Sequence, residues 1–145
     1  MGIIIDGKTI ASEIRIEVAK KVEQLKTESQ LVPKLSVLLI GDDPASQIYV
    51  RNKERQCEEV GIQSETHRLP ANSKQDQVIE IIDTLNNDPR THGILVQLPL
   101  PKGLDEIAIL NAISPEKDVD GLHPMNLGKL LKGERPAFLP CTPSG

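Results

Sequence analysis

The sequence predicts a three-layer α/β domain, in which a mainly parallel sheet carries helices on both faces. Short aliphatic runs alternate along the chain with segments that have helical periodicity. The helical segments are long enough to cross over between neighbouring parallel strands, as in a βαβ unit. A length of 145 residues fits one domain of this kind.

The first half of the chain predicts two strands and two helices. Residues 3–5 form a candidate short strand, and residues 35–41 a buried strand. Between them, apolar residues spaced by four and three predict one face of a helix over about 9–28. These residues are Ile10, Ile14, Val18, Val22 and Leu25. A second helix is predicted from Pro44, with Asp43 as its cap, to a stop at Gly61.

The second half predicts two further strands and up to three helices. Residues 62–69 are polar enough for an edge strand, and residues 93–98 form an apolar strand. Ser73 and Asp76 resemble a capping box for a helix whose stripe is Val78, Ile81, Ile82 and Leu85. Shorter helices are predicted over 104–113 and 126–131. Residues 136–145 hold three prolines and are predicted to be an extended connector.

Composition excludes several classes of function. A net charge of −4 with dispersed Lys and Arg gives no footprint for nucleic acid, and one Tyr, one Phe and no Trp exclude a base-stacking platform. No apolar run approaches a membrane span, and no secretory signal is recognised. Cys57 and Cys141 form no CxxC, and the three histidines have no ligand spacing, so no metal site is predicted. We expect a cytoplasmic protein.

Candidate chemistry lies at the carboxyl ends of the predicted strands, where open parallel sheets bind ligands. Tyr49 and Lys53 are four residues apart on one helix and share a face. Gln97 lies near the end of an otherwise apolar strand, and Asp118 and Asp120 lie in a turn-rich loop. Each feature also has an ordinary structural explanation: a solvated helix surface, a hydrogen-bonded buried amide and a simple turn.

The glycines offer no phosphate cradle. Neither GxGxxG nor GxxxxGK[ST] occurs in the chain. The YxxxK pattern of Tyr49 and Lys53 also occurs in short-chain dehydrogenases, but those need a glycine-rich fingerprint near the N-terminus, and residues 1–41 contain none. The residues therefore indicate an enzyme-like site without a cofactor motif.

Four segments together closely resemble the bifunctional methylenetetrahydrofolate dehydrogenase/cyclohydrolase family, in its order and at its spacing. They are SQIYVRNK at 46–53, GILVQLPLP at 93–101, PEKDVDG at 115–121 and PCTP at 140–143. DGK at 6–8 and HPMNLG at 123–128 also look like the bacterial members. The resemblance covers essentially the whole chain.

The resemblance implies a two-domain enzyme with its active site in the cleft between the domains. Residues 1–139 would be the folate-binding catalytic domain, and residues 140–145 the start of a connector to a Rossmann-type domain. That second domain would bind NADP, or NAD in some members, with Cys141 and Thr142 the nearest residues of this chain. The family also implies a homodimer, although this chain alone would be monomeric, and a role in purine biosynthesis.

The resemblance implies a catalytic set of Tyr49, Lys53 and Gln97. Lys53 would be the central acid/base group, Tyr49 would lie against the folate ring system, and Gln97 would hold and tune Lys53. Opening and closing the folate ring requires proton transfer beside the one-carbon bridge, which suits an amine that serves as acid and base. An amide can donate to a neutral amine or accept from a charged one, so Gln97 tolerates both states.

The same resemblance implies how tetrahydrofolate derivatives are bound. Asp120 would pair with the amino and ring nitrogens of the pterin, because a carboxylate offers two acceptors to a pair of donors. Leu98 and Pro99 would line the pocket by main-chain and apolar contact. Tyr49 and Lys53 would complete the substrate-binding set, with Gln97.

Two other interpretations stay open at this point. In the first, the chain is the substrate domain of an amino-acid or hydroxy-acid dehydrogenase, which would bind a small amino acid and would not bind tetrahydrofolate. Alternatively, it would be a non-catalytic α/β interaction module. The presence of Tyr49, Lys53, Gln97 and Asp120 argues against the second alternative.

Overall fold

A computed structural model describes residues 6–140. Within that range the chain forms five helices and three strands. In chain order these are α1 Gly7–Ser29, β1 Lys34–Ile40, α2 Pro44–Val60, β2 Gln63–Leu69, α3 Gln75–Asn87, β3 Gly93–Val96, α4 Glu106–Ala112 and α5 Pro124–Leu131.

The three strands form one parallel sheet in the order β2-β1-β3. In the central strand β1, residues 36–40 are buried, and Leu38 lies opposite His67 of β2 and Val96 of β3. Since all carboxyl ends lie at one edge, the loops after β1 and β3 are brought together there.

Helices cover both faces of the sheet, as predicted. On one face, buried aliphatic residues of β1 and β3 pack against α3 and α4; these are Leu38, Ile40, Val78, Ile82, Leu85, Ile94, Val96, Ile109 and Ile113. On the opposite face, Val37, Leu39 and Leu95 pack with Val50 of α2. Alternate residues of β1 therefore serve the two cores. The predicted fold class is confirmed.

Helix α2 begins and ends where the sequence predicts. The side chain of Asp43 accepts a hydrogen bond from the Ser46 N–H at 2.8 Å, and Pro44 takes the first helical position. Gly61 ends the helix with φ at +81°, a left-handed conformation that glycine adopts without strain. These ends fix where α2 starts after β1, and so fix the position of Tyr49 and Lys53.

The capping box predicted for α3 is wrong by one residue. The helix is capped at Lys74, whose backbone N–H donates to Gln77 Oε1 at 2.9 Å. Ser73 instead donates its hydroxyl to the carbonyl of Pro70 at 2.7 Å. The side-chain amide of Gln77, at the third position of the helix, accepts the hydrogen bond from the backbone of the cap residue. The Ser73–Asp76 pattern did not indicate this pair.

Other element boundaries also differ from prediction by one or two residues, as β3, α4 and α5 illustrate. Strand β3 ends at Val96, because Pro99 lacks the N–H that would extend the ladder. Helix α4 is shorter than predicted, since Asp105 caps it by accepting from the Ala108 N–H at 3.1 Å. Helix α5 begins two residues early, at Pro124.

The predicted strand at 3–5 and most of the predicted connector at 140–145 lie outside the described residues. Residues 136–140 form neither helix nor strand. Across residues 6–140, none of the helices combines the length and apolar character needed to cross a membrane.

Candidate functional site

The centre of the candidate site is a hydrogen bond between α2 and the end of β3. Lys53 Nζ donates to Gln97 Oε1 at 3.0 Å, across 44 residues of sequence. Both side chains are half-buried. The amine is therefore held at the sheet edge, partly away from solvent.

The orientation of Gln97 is fixed by its own neighbours. Its side-chain Nε2 donates to the carbonyl of Leu98 at 2.8 Å, and its backbone N–H donates to the carbonyl of Leu38 at 2.9 Å. Because the side-chain nitrogen Nε2 is bonded to Leu98, the side-chain oxygen Oε1 is the atom that faces Lys53. Gln97 lies one residue past the end of β3 and is half-buried, so the predicted location within the strand is corrected by one position.

Tyr49 stands beside Lys53 on the same face of α2, one turn earlier. The Lys53 ammonium lies 5.8 Å from the centre of the Tyr49 ring, within the range of a cation–π contact. Tyr49, the one tyrosine of the chain, is 60% exposed. An aromatic face thus remains open next to the amine.

Asp120 reaches the site from the loop that follows α4. Burial raises the pKa of its carboxyl, the charge of Lys53 lowers it, and the nearby charge of Asp118 raises it further; the net change is upward. Asp120 and Lys53 line the same cavity, of about 360 Å³. The site therefore holds an amine and a carboxylate without a direct salt bridge between them in the described part of the chain.

The wall of this cavity is mostly aliphatic. Helix α1 supplies Ile14 and Val18, the sheet supplies Leu35 and Leu95, and Cys57 of α2 lies one turn after Lys53. Burial raises the pKa of the Cys57 thiol. An apolar wall with a few polar groups at one side is typical of sites for flat organic ligands.

Asp118 has a structural role and does not line the cavity. It is 3% exposed, and its Oδ2 accepts from the His123 N–H at 2.8 Å and from Asn126 Nδ2 at 3.0 Å. The two aspartates of the loop therefore have different places: Asp118 ties the loop to α5, and Asp120 lines the cavity.

The remaining predicted residues lie around this centre. Leu98 contributes its carbonyl to Gln97 and is half-buried, and a cis peptide joins it to Pro99. Pro99 is exposed and lines a neighbouring cavity of about 320 Å³ with Gly41 and Pro101 rather than the cavity of Lys53 and Asp120. The residues predicted near the cofactor, Cys141 and Thr142, lie outside the described residues.

Sequence reasoning missed the residues that build the wall and hold the loop. Cys57 was recoverable, since it lies four residues after Lys53 on the same helix face. Arg15 was not, because nothing in its local pattern distinguishes it from a surface residue, and Ile14 and Asn126 were noted only as members of the first helical stripe and of the HPMNLG segment. No group of three or more potential metal ligands occurs among residues 6–140.

The arrangement has the parts needed for proton transfer to a flat, polar-edged ligand. The amine of Lys53 is a proton donor or acceptor, and Gln97 accommodates either state. Tyr49 offers a stacking face and Asp120 a paired acceptor.

Comparison with known proteins gives consistent results. The model of the tetrahydrofolate dehydrogenase/cyclohydrolase catalytic domain matches residues 5–120. The bifunctional protein FolD of Moorella thermoacetica is 57% identical over 142 residues, which is 98% of this chain and 50% of that protein. The chain spans about half the length of the curated relatives it matches.

Solved structures agree with the sequence matches. The FolD enzyme of Campylobacter jejuni superposes with a TM-score of 0.93 at 46% identity, covering 96% of this chain and 49% of that one. The Trypanosoma brucei enzyme, determined with NADP and an inhibitor, gives 0.92 at 37% identity, covering 99% of this chain and 49% of that one.

Proposed function

Because this chain belongs to the tetrahydrofolate dehydrogenase/cyclohydrolase family, we propose that it is the substrate-binding and catalytic half of a bifunctional one-carbon enzyme. The complete enzyme would oxidise methylenetetrahydrofolate to methenyltetrahydrofolate with NADP, and would hydrolyse the product to formyltetrahydrofolate. The observation that carries the proposal is the half-buried hydrogen bond from Lys53 to Gln97, next to Tyr49 and the cavity of Asp120.

In the hydrolytic step, Lys53 would move the proton. Water adds to the methenyl carbon and loses a proton, the bond from that carbon to one ring nitrogen breaks, and the nitrogen gains a proton. One amine beside the bridge serves both transfers, first as base and then as acid. The amide oxygen of Gln97, 3.0 Å from the amine, holds it in place.

Binding would be shared by Asp120 and Tyr49. The carboxylate of Asp120 has two acceptors for the donor pair on the pterin edge. Burial raises its pKa, and donors from a bound ring would favour its ionised form. The exposed ring of Tyr49 would stack on the ligand. Leu98 would contribute its main chain, while Pro99 is assigned to the rim.

The nicotinamide cofactor does not fit the residues of this chain. The sequence holds no glycine-rich fingerprint, so a site for NADP, or for NAD, is assigned to a second, Rossmann-type domain. We propose residues 1–139 as the catalytic domain and 140–145 as the start of the connector, with Cys141 and Thr142 nearest the cofactor.

The proposal also covers the location, the oligomeric state and the metabolic role of the complete protein. By analogy with the family, the complete protein would be a cytoplasmic homodimer whose formyl product supplies purine biosynthesis. The contacts that form such a dimer are assigned mainly to the second domain, so this chain alone would be monomeric. Sedimentation of the chain and of the complete protein tests both statements.

The function is tested by Lys53→Met in the complete protein. Loss of the acid/base group should lower the cyclohydrolase rate by at least about a hundredfold. Lys20→Met is the matched control, because Lys20 is an exposed lysine of α1, away from the cavity, and this variant should retain normal rates. Circular dichroism confirms that both variants are folded.

Two results would overturn the proposal. Near-normal hydrolysis by a folded Lys53→Met protein would remove Lys53 from the mechanism. Binding of a small amino acid by the unchanged protein, together with indifference to tetrahydrofolate, would instead support the substrate domain of another dehydrogenase.

A further inference from the structure

The loop that carries Asp120 is fastened to the end of α3 by one side chain. Lys117 Nζ donates to three backbone carbonyls, those of Leu85 at 3.0 Å, Asn86 at 2.7 Å and Asp88 at 2.9 Å. These carbonyls belong to the last turn of the helix and its cap, which have no partners within the helix. An ammonium has three N–H donors, and all three are used.

The backbone of Lys117 also joins the loop to the sheet. Its carbonyl accepts from the Ile94 N–H at 2.7 Å, and Asp118 forms a parallel bridge with Ile94. The approach is close, because a Cβ on Gly93 would lie 2.5 Å from Val119 Cγ1. Lys117 thus fixes the loop against α3 and β3 at once, three residues before Asp120.

The charge of Lys117 has no counter-ion among the described residues, since its Nζ forms no salt bridge within 6–140. A cation at a helix C-terminus is favoured by the helix dipole. The half-buried side chain therefore holds the loop in position through its hydrogen bonds. Its removal would leave three carbonyls without these hydrogen bonds.

We propose that Lys117 is a positioning residue for Asp120. By holding the loop on the end of α3, it sets where the Asp120 carboxylate stands relative to Lys53 and Gln97 at the end of β3. This inference rests on the proposed function, which assigns Asp120 to the pterin edge. Paired hydrogen bonds are sensitive to position, and a displacement of about 1 Å can lower a rate by about a hundredfold.

The test is a double-mutant cycle in the complete protein, made with Lys117→Met, Asp120→Ala and the two together. Lys117→Met alone should raise KM for methylenetetrahydrofolate about tenfold or more and leave KM for NADP unchanged. In the Asp120→Ala background, the same substitution should change KM less than about twofold, because its effect passes through Asp120. Lys20→Met serves again as the control lysine.

The outcomes separate this inference from the proposed function. If the unchanged protein does not turn over methylenetetrahydrofolate, the proposed function fails. If it does, and the effects of Lys117→Met and Asp120→Ala on kcat/KM are additive, Lys117 has only a general structural role and this inference is overturned. Should Lys117→Met not fold, Lys117→Gln, which keeps two N–H donors, takes its place in the same cycle.

Discussion

The two faces of the sheet are built differently. Beneath α3 and α4 the core is closed, with Ile82 and Ile109 fully buried. Beneath α1 and α2 the core is smaller, and a cavity of about 360 Å³ remains between the helices and the sheet. The first face supplies the packing that defines the fold, and the second leaves the space in which Lys53 and Asp120 meet.

The contrast is clearest between two helices with similar patterns. The stripe of α3 is buried, with Val78 and Ile82 at 0% exposure and Leu85 at 5%. The predicted stripe of α1 is largely uncovered: Val22 is 6% exposed, but Ile14 is 55% exposed. Periodicity shows which face of a helix is apolar, and it does not show how completely that face is covered.

The largest expected effect comes from truncating the closed face. Ile82→Ala should lower the free energy of unfolding by about 3 kcal/mol, because a fully buried side chain leaves a cavity. Ile14→Ala, the same change on the open face, should alter it by only about 0.5 kcal/mol, since alanine also favours helix. Urea unfolding of the two variants measures both values.

Equal losses for Ile82→Ala and Ile14→Ala would contradict the comparison. That result would mean that the stripe of α1 is covered in solution. Unchanged urea dependence (the m value) in both variants serves as the control that neither substitution alters the unfolded state.

A smaller loss is expected where polar contacts replace aliphatic packing. Asn126 is fully buried; its Nδ2 donates to Asp118 Oδ2 and to the Pro115 carbonyl, and its Oδ1 accepts from the Ala137 N–H. Asn126→Ala should lower the free energy of unfolding by about 2 kcal/mol, because these partners lose a hydrogen bond inside the protein. A loss below about 0.5 kcal/mol, within the range of ordinary surface changes, would show that water replaces the amide.

The parts of the fold that the sequence predicted depend on local patterns. Helix α2 was located to the residue, because Asp43, Pro44 and Gly61 each impose a local conformation. The stripe of α3 and the aliphatic run of β1 were likewise readable. Tyr49 and Lys53 were predicted to share a face by their spacing alone, and the structure places them so.

The parts that escaped prediction depend on contacts distant in sequence. Lys117 donates to carbonyls that lie about thirty residues earlier in the chain, and no local sequence pattern indicates that contact. The different roles of Asp118 and Asp120 escaped prediction for the same reason. Asp118 is held by a hydrogen bond from Asn126, eight residues further along the chain. The pairing of Lys53 with Gln97 came from family resemblance, since periodicity does not show which helix face meets the end of which strand.

The smallest effect concerns the stability of the open face itself. Burial raises the pKa of Asp120 above its ordinary value of 3.8, so the folded state holds this proton more tightly than the unfolded chain does. Stability from this group is present below 3.8 and is lost as pH rises through the raised pKa. At neutral pH the ionised carboxylate therefore destabilises the fold.

Asp120→Asn should consequently unfold at a higher urea concentration than the unchanged chain at pH 7, by less than the Ile82 effect. The advantage should shrink as pH falls through the raised pKa and disappear only below 3.8, where both states hold the proton. The same substitution should weaken folate binding, because it replaces one acceptor of the pair with a donor. Opposite signs for stability and binding are expected of a residue kept for its ligand, whereas a loss of both would make Asp120 an ordinary structural carboxylate.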